Sequence, residues 1–388
     1  MLIALTFVSM AGIYIHIPFC KKACTYCDFH FSTSLKYADE MVDAICTEIR
    51  LKKNRLQNES FGSIYFGGGT PSVLPAKAYQ KIFDALNSCY SISAGAEITM
   101  EANPDDLDLQ KINALKRLPI NRFSIGIQSF FEEDLIWMNR AHTAAEAESC
   151  IKRSQDAGFE NLSIDLIYGY PLLTDQKWLG NINKAIELRT PHISAYSLTV
   201  EPQTALANAI QKGKQLALDD GQSVAQFLKL NQYLTTAGFE HYEISNYSLP
   251  ECYAVHNTNY WRGIPYLGIG PSAHGFDGNT RYLNIANNAK YLAALTKNQL
   301  PETIEELSVT DQFNEYIMTA LRTQWGIDLD KITSNFGKTY TEQTQLQVAK
   351  FIAEEKLIQN NSIITLTQQG KLFADGIASG LFAENSER

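Results

Sequence analysis

The stretch Ile13-Tyr-Ile-His-Ile-Pro-Phe-Cys-Lys-Lys-Ala-Cys-Thr-Tyr-Cys-Asp-Phe29 sets Cys20, Cys24 and Cys27 at spacing C-x-x-x-C-x-x-C, directly behind an alternating strand signal that stops at Pro18. Three thiolates this close can hold three irons of a cubane [4Fe–4S] cluster, whereas full protein ligation would want a fourth. An iron without a protein ligand is the counterpart of a catalytic metal that keeps an open position. The spacing differs from those of ferredoxins and from the paired C-x-x-C ladders of zinc ribbons. A structural zinc would need a fourth ligand, for which His30 is the local candidate. Cys46, Cys89 and Cys150 lie in amphipathic helical stretches and read as core, as free cysteines usually do. Cys252 stands four residues before His256, a pair that could bind metal. Seven cysteines without a secretory signal argue for a reducing compartment.

A hydrophobic content of 45% and a charged content of 19% are ordinary for a soluble globular protein with a large core. The net charge of −9 argues against a nucleic-acid partner held by counterion release. Met1 to Ser9 is apolar but too short to span a membrane and lacks a basic flank. Met10, just before the first strand signal, is the expected true start. No other segment approaches transmembrane length, and a cytoplasmic location is expected.

Six strand signals recur along the chain: Ile13–Ile17, Ser63–Phe66, Glu97–Glu101, Arg122–Gln128, Leu162–Tyr168 and His192–Leu198. Helix-like stretches lie between them, among them 37–56, 76–86, 144–157 and 178–188. Strands alternating with helices indicate βα units and a parallel sheet. Six units are too few for a closed eightfold barrel, and they predict an α/β partial (β/α)6 barrel with its site at the carboxyl ends of the strands. Past residue 300 the pattern changes to helices at 312–322 and 345–355, a shorter one near Asp330, and a hairpin turning on Asn360-Asn361. We expect a barrel unit over 10–300 and a helical, winged-helix-like module over 301–388. Such modules often bind DNA, but the acidic balance favours a packing or partner role here.

The cysteine spacing is similar to that of radical-SAM proteins, whose open iron chelates the amino and carboxylate groups of S-adenosylmethionine (SAM). Gly67-Gly-Gly-Thr-Pro71 follows a strand, so its backbone can approach a ligand closely, and Gly68, Gly69 and Thr70 are expected at the methionyl end of SAM. Glu101 closes its strand and could accept from the SAM amino group or ribose. Gln128 and Asp165 hold comparable positions on their own strands. Arg140 could pair with the SAM carboxylate in fork geometry. Tyr14 and His16 share a face of the first strand, Tyr14 toward the cluster, and His16 either toward the ligand or into the core.

Tyr14-Ile-His-Ile-Pro-Phe-Cys20, Tyr65-Phe-Gly-Gly-Gly-Thr-Pro71, Glu101-Ala-Asn-Pro104, Ser124-Ile-Gly-Ile-Gln-Ser-Phe130 and Asp165-Leu-Ile-Tyr-Gly169 together resemble one family. It is the radical-SAM group of oxygen-independent coproporphyrinogen III dehydrogenase and its relatives, the HemW-type haem chaperones. The resemblance spans nearly the whole chain. It implies that Cys20, Cys24 and Cys27 bind the cluster and that Tyr14, Tyr26, Gly68, Gly69, Thr70, Glu101, Gln128, Arg140 and Asp165 line the SAM site. The dehydrogenase branch carries a further cysteine two residues after the third, where Phe29 stands here, and a substantial segment before the cluster motif, where fewer than twenty residues precede Cys20. Both departures count against decarboxylation of a porphyrinogen. His256-Asn-Thr-Asn-Tyr-Trp261 is similar to the H-N-x-x-Y-W run of haem-binding HemW proteins. A neutral imidazole is a standard axial ligand of haem iron, and Tyr260 and Trp261 could offer flat faces to a porphyrin. The residues by themselves also fit a histidine capping a turn beside two packed aromatics. His274 is a second imidazole, expected to face the SAM pocket or the core. The resemblance thus implies a haem carrier holding a [4Fe–4S] cluster, SAM and haem, with respiratory haem proteins as recipients. It is compatible with a homodimer and with peripheral membrane association through partners.

Overall fold

The computed structural model describes residues 10–384, so the apolar run Met1–Ser9 lies outside it. Six strands, β1 (Ala11–Ile17), β2 (Phe61–Gly68), β3 (Ile92–Ala102), β4 (Arg122–Gln128), β5 (Asn161–Tyr168) and β6 (His192–Ser197), pair in chain order, each parallel to the next. Crossover helices such as Ala38–Leu51, Ala76–Cys89, Ala144–Asp156 and Asp175–Glu187 cover the outer face. Strands walled on both sides read as near-continuous apolar runs, and β4 is buried at every residue. The outer core packs Ile13, Ile15 and Ile17 of β1 with Met41, Ile45 and Ile49 of the first helix. Thr143 and Glu146 start the third of these helices with a capping box, in which each satisfies the other's backbone donor.

Six short strands extend this sheet beyond what the sequence pattern announced. β8 (Asn246–Ser248) adds antiparallel to β6, and β7 (Glu240–Glu243) adds antiparallel to β8. On the other side β9 (Tyr266–Ile269) runs parallel to β1, and β10 (His274–Phe276), β11 (Thr280–Asn284) and β12 (Glu302–Glu306) follow antiparallel. β7 and β12 remain the two edges, so the barrel is open, as the count of units implied. At three to five residues these strands carry too little periodicity to be read locally.

The C-terminal residues form a second core around Phe313, Ile317, Leu321, Ile327, Ile332, Val348 and Ile364. Its helices Val309–Leu321, Leu329–Phe336 and Lys338–Ala353 precede a hairpin of β14 (Leu357–Asn360) and β15 (Ile363–Leu366), against which β13 (Ile327–Asp328) pairs. The hairpin turns on Asn361 and Ser362, one residue later than expected. Asn361 has φ 55°, a conformation that asparagine tolerates better than most residues.

A buried polar knot fastens the β9–β12 extension to the barrel. Glu48 and Lys52, both fully buried, pair at 2.6 Å across one helical turn. Glu48 also accepts from the Gly270 N–H at 2.8 Å and from Asn284 and Tyr291. Lys52 donates to the Gly268 carbonyl at 2.9 Å and pairs with Glu302 at 3.1 Å. Removing Glu48 would leave the buried Lys52 with Glu302 as its remaining acidic partner and take the acceptor from Gly270 N–H and Tyr291. Glu48→Ala should therefore cost about 3–5 kcal/mol, read as a lowered denaturant midpoint. Breaking the exposed Lys81–Asp43 pair should leave the midpoint unchanged.

Candidate functional site

The loop after β1 is held in place by backbone hydrogen bonds. Cys20 N–H donates to the Ser32 carbonyl at 3.0 Å, and Ser32 N–H donates to the Pro18 carbonyl at 2.9 Å. The glycine turn after β2 locks onto the same loop. Gly69 N–H donates to the Ile17 carbonyl at 2.9 Å, and Thr70 N–H to the Phe19 carbonyl at 2.6 Å. A Cβ on Gly69 would stand 2.6 Å from that Phe19 oxygen, and one on Gly68, whose φ is 107°, would strike the His16 ring. The glycines are thus required first by the cysteine loop behind them.

Cys20, Cys24 and Cys27 line one cavity of about 510 Å³ together with Tyr26, Gly68, Gly69, Thr70, Glu101, Gln128, Arg140 and Asp165. The Thr70 hydroxyl donates to the Cys20 sulfur at 3.4 Å, and the Arg140 guanidinium donates to the Cys24 sulfur at 3.3 Å. Arg140 also donates through Nη2 to Asn103 Oδ1 and the Gly126 carbonyl, both at 2.7 Å, while its buried Nε has no partner among the described residues. The expected fork is thus partly committed to the protein and keeps one donor unpaired. Gln128 ends β4 at φ 65°, a left-handed conformation costly for a residue with a Cβ and frequent at functional sites. His30 turns its Nε2 to Asn288 Oδ1 at 2.8 Å. Among the described residues no three His, Cys, Asp or Glu side chains are grouped to hold a single metal ion.

A second cavity of about 770 Å³ adjoins the first, and Asp28, Phe29, Gly68, Glu101 and Tyr196 line both. Tyr14, His16, Tyr65, His256, Tyr260, Trp261 and Tyr266 form much of its wall. Tyr14 therefore lines this larger space and not the cysteine cavity. His16 is a satisfied wall residue: its Nε2 donates to the His30 carbonyl at 2.8 Å, which leaves Nδ1 to accept from the Tyr14 hydroxyl at 3.2 Å. His274 meets neither expectation. β10 turns it outward, and it sits exposed at the rim of the larger cavity. Cys46 and Cys150 are buried as expected, whereas Cys89 ends its helix half-exposed.

His256 lies on the short helix Val255–Trp261, so its run forms a helix and not a turn cap. The Glu97 carboxylate accepts the Val255 and His256 backbone N–H groups, each at 3.0 Å. The ring Nδ1 pairs with Ser63 Oγ at 2.9 Å, and Tyr65 lies 5.3 Å from it, centroid to centroid. Gly12 makes the room, because a Cβ there would come within 3.0 Å of the imidazole. Among the described residues no group bonds Nε2, and the residue faces the cavity. Trp261 meets Tyr260 edge-on and carries the Arg322 guanidinium 5.2 Å from its centroid.

Burial divides the titratable groups into neutral bases and reluctant acids. It lowers the His256 pKa to about 4, with Arg122 adding to the effect, and that of His16 to about 4. It pushes Glu101 up to about 7 against the hydrogen bond from the Tyr65 hydroxyl at 2.8 Å, and Asp165 up to about 6. It also raises the Cys27 thiol to about 11. Asn103 and Tyr65 fall inside runs that the sequence singled out, yet neither was assigned a role. Arg281, Arg322 and Glu243 of the larger cavity carried no local signal at all.

Residues 14–185 match the family model of the radical SAM superfamily, and residues 307–373 match that of the HemN C-terminal domain. With the open barrel and the three-cysteine loop, these matches define a radical-SAM protein. The heme chaperone HemW of Bacillus subtilis is 32% identical over 97% of this chain and 100% of its own length. That of Escherichia coli is 32% identical, covering 96% of this chain and 98% of its own, and that of Synechocystis sp. is 33% identical over 98% of each. The chain belongs to the HemW family. Coproporphyrinogen III oxidase (HemN) from Escherichia coli superposes with a TM-score of 0.83 at 21% identity over 97% of this chain and 91% of that one, a likeness of fold. Membership of the radical-SAM superfamily implies a [4Fe–4S] cluster and SAM.

An acid whose folded pKa lies above its unfolded value keeps its proton longer in the folded state, so stability falls as pH rises between the two values. For Glu101 that window runs from about 4.5 to about 7. Gln can accept the same Tyr65 bond without the charge. Glu101→Gln should match wild type near pH 4 and exceed it by about 1–3 kcal/mol at pH 8, measured by denaturant unfolding across that range.

Proposed function

We propose that this chain is a haem carrier that holds a [4Fe–4S] cluster, SAM and haem and hands haem to respiratory haem proteins. His256 carries the reading. Its imidazole is neutral near pH 7, its Nδ1 is pinned by Ser63, and its Nε2 is left open toward a cavity of about 770 Å³. A ring nitrogen held by a second group fixes the tautomer and orientation of the other, the usual preparation of a metal-binding histidine. The cavity size suits an organic cofactor, and Tyr260 and Trp261 provide aromatic surface beside the imidazole. His256 is assigned as the haem-iron ligand, with Tyr260 and Trp261 against the macrocycle.

The smaller cavity fits the other two groups by its donor set. Cys20, Cys24 and Cys27 supply three thiolates, and the unpartnered Nε of Arg140 matches a carboxylate. Glu101, where the cavities meet, matches an ammonium, and Gly68, Gly69, Thr70, Tyr26, Gln128 and Asp165 complete the SAM wall. Tyr14 acts from the adjoining cavity. A cluster with one iron free of protein ligands supplies the binding point for the amino and carboxylate groups of SAM. No helix among the described residues is long and apolar enough to cross a membrane. In this reading the chain works in the cytoplasm as two domains, 10–300 and 301–388. It reaches membranes peripherally through its recipients, and self-association as a homodimer is part of the proposal.

The continuity of the cavities past Gly68, Glu101 and Tyr196 favours one alternative, radical-SAM oxidative decarboxylation of coproporphyrinogen III. Phe29, 68% exposed on the shared wall, stands where the resemblance places the dehydrogenase's further cysteine. An anaerobic assay with coproporphyrinogen III, SAM and reductant should yield no protoporphyrinogen; product formation would establish the enzyme.

Haem titration of protein with a reconstituted cluster should shift the Soret band. His256→Ala should weaken or alter that shift, and Ser63→Ala should cost about 10–100-fold in affinity. Identical spectra for wild type and His256→Ala would overturn the carrier reading. Substituting any one of the three loop cysteines by Ala should abolish the cluster's absorption while far-ultraviolet circular dichroism is retained.

A further inference from the structure

Two guanidinium groups line the larger cavity, and they come from opposite sides of the seam between the two cores. Arg281 lies on β11, whereas Arg322 follows the helix Val309–Leu321. Each is paired with an acid from the other side. Arg281 makes a two-pronged pair with Glu315, Nη2 to Oε2 at 2.7 Å and Nε to Oε1. Arg322 Nε pairs with Glu243 Oε1 at 3.2 Å, and its Nη1 donates to Asp375 at 2.8 Å. Both guanidiniums lie beside aromatic rings, Arg281 4.9 Å from the Phe276 centroid and Arg322 5.2 Å from that of Trp261.

We propose that Arg281 and Arg322 are the carboxylate-recognition groups of this cavity, and that a dicarboxylate tetrapyrrole draws both away from the ion pairs that fasten the C-terminal core. The inference rests on the tetrapyrrole reading of the cavity and adds to it which groups are recognised and what binding does to the seam. The exchange of partners is physically mild. A carboxylate in the cavity offers each guanidinium the bidentate geometry that it prefers. Glu315 and Asp375, with side chains 33% and 72% exposed, return to water. Glu243 keeps the Ser245 N–H at 3.1 Å and the Asn246 amide, and burial pushes its carboxyl up, so it can take a proton when Arg322 leaves. Arg322 also sits where the backbone crosses the seam. Ile244 N–H donates to its carbonyl at 3.0 Å, and Gln324 N–H donates to the Tyr242 carbonyl at 2.9 Å. Releasing its ion pairs therefore leaves those backbone bonds to hold this stretch of the seam with less support, and by reciprocity a loosened seam favours the ligand.

Metal-free protoporphyrin IX and its dimethyl ester separate carboxylate recognition from iron ligation. Binding of each would be followed by fluorescence on the full chain with its cluster. Wild type should prefer the diacid by about tenfold or more, and Arg281→Gln and Arg322→Gln should each lose most of that preference. Glu315→Gln frees Arg281 without removing it, so it should bind the diacid more tightly and the ester as before. That opposite sign distinguishes recognition from mere damage to the fold. Amide exchange at Ile244 and Gln324 should quicken with the diacid and not with the ester. Equal binding of the two porphyrins, binding of neither, a weaker diacid complex in Glu315→Gln, or slower exchange would each overturn the proposal. Its failure is separable from that of the haem-carrier reading, which is decided by the His256→Ala haem spectrum.

Discussion

The site depends on a backbone lock between two loops. The turn after β2 presents the Gly69 and Thr70 N–H groups to the Ile17 and Phe19 carbonyls, at a distance that excludes any Cβ on Gly69. A loop carrying three cysteines would otherwise be free to fold them against its own backbone or into the core. Here it is stretched along the ends of parallel strands, and its sulfurs line the cavity that those strand ends surround. The same lock brings Thr70 to Cys20, so the turn that follows β2 also supplies a donor to a sulfur. Hydrogen bonds to cluster sulfurs are among the means by which a protein tunes a cluster's potential.

Around this lock the interior is polar by design of the sheet. Parallel strands alternate their side chains between an outer face packed on helices and an inner face that is walled off from water yet not filled by apolar groups. Glu101, Asp165 and His256 stand on that side or against it, and burial holds each nearer neutrality than its type in water. Such displaced titration costs stability and is concentrated where ligands bind. The left-handed Gln128 belongs to the same pattern. A strained residue ends β4 where Gly126, lacking a side chain, lets Arg140 and Gln128 approach.

The C-terminal core is an active part of the larger cavity. It is tied to the barrel by Arg281–Glu315, Arg322–Glu243 and two backbone bonds. Its apolar residues pack mostly on one another, but Ile244 packs against this core, Leu372 packs against the barrel core and Trp325 meets Tyr242 and Tyr253, so the seam mixes ion pairs with apolar contact. The polar ties part at lower cost than the apolar ones, because each released group is received by water. A cavity walled partly by such a seam can change shape when its ligand competes for the charges that close it.

Much of this was legible in the chain. The cysteine spacing, the glycine turn and the six β-branched runs are local signals, and local sterics and short-range chemistry decided that they form a cysteine loop on a parallel open barrel. The residues that the family resemblance implied for the cluster and SAM, Cys20, Cys24, Cys27, Gly68, Gly69, Thr70, Glu101, Gln128, Arg140 and Asp165, are gathered by the fold into one cavity. The chain could not say that Tyr14 faces the other cavity, that His274 is turned out by β10, or that Ser63 and Glu97 hold His256 from strands more than 150 residues away. Nor could it reveal the pairing of Arg281 with Glu315 and Arg322 with Glu243, because short antiparallel strands and interlocking charges leave no period in the sequence. The sequence by itself determined which chemistry the chain carries, since a thiol or an imidazole is a property of the residue. The tertiary structure alone decided which nitrogen is free, which acid stays neutral and which charges close the cavity, since those depend on burial and on neighbours that meet only when the sheet is formed.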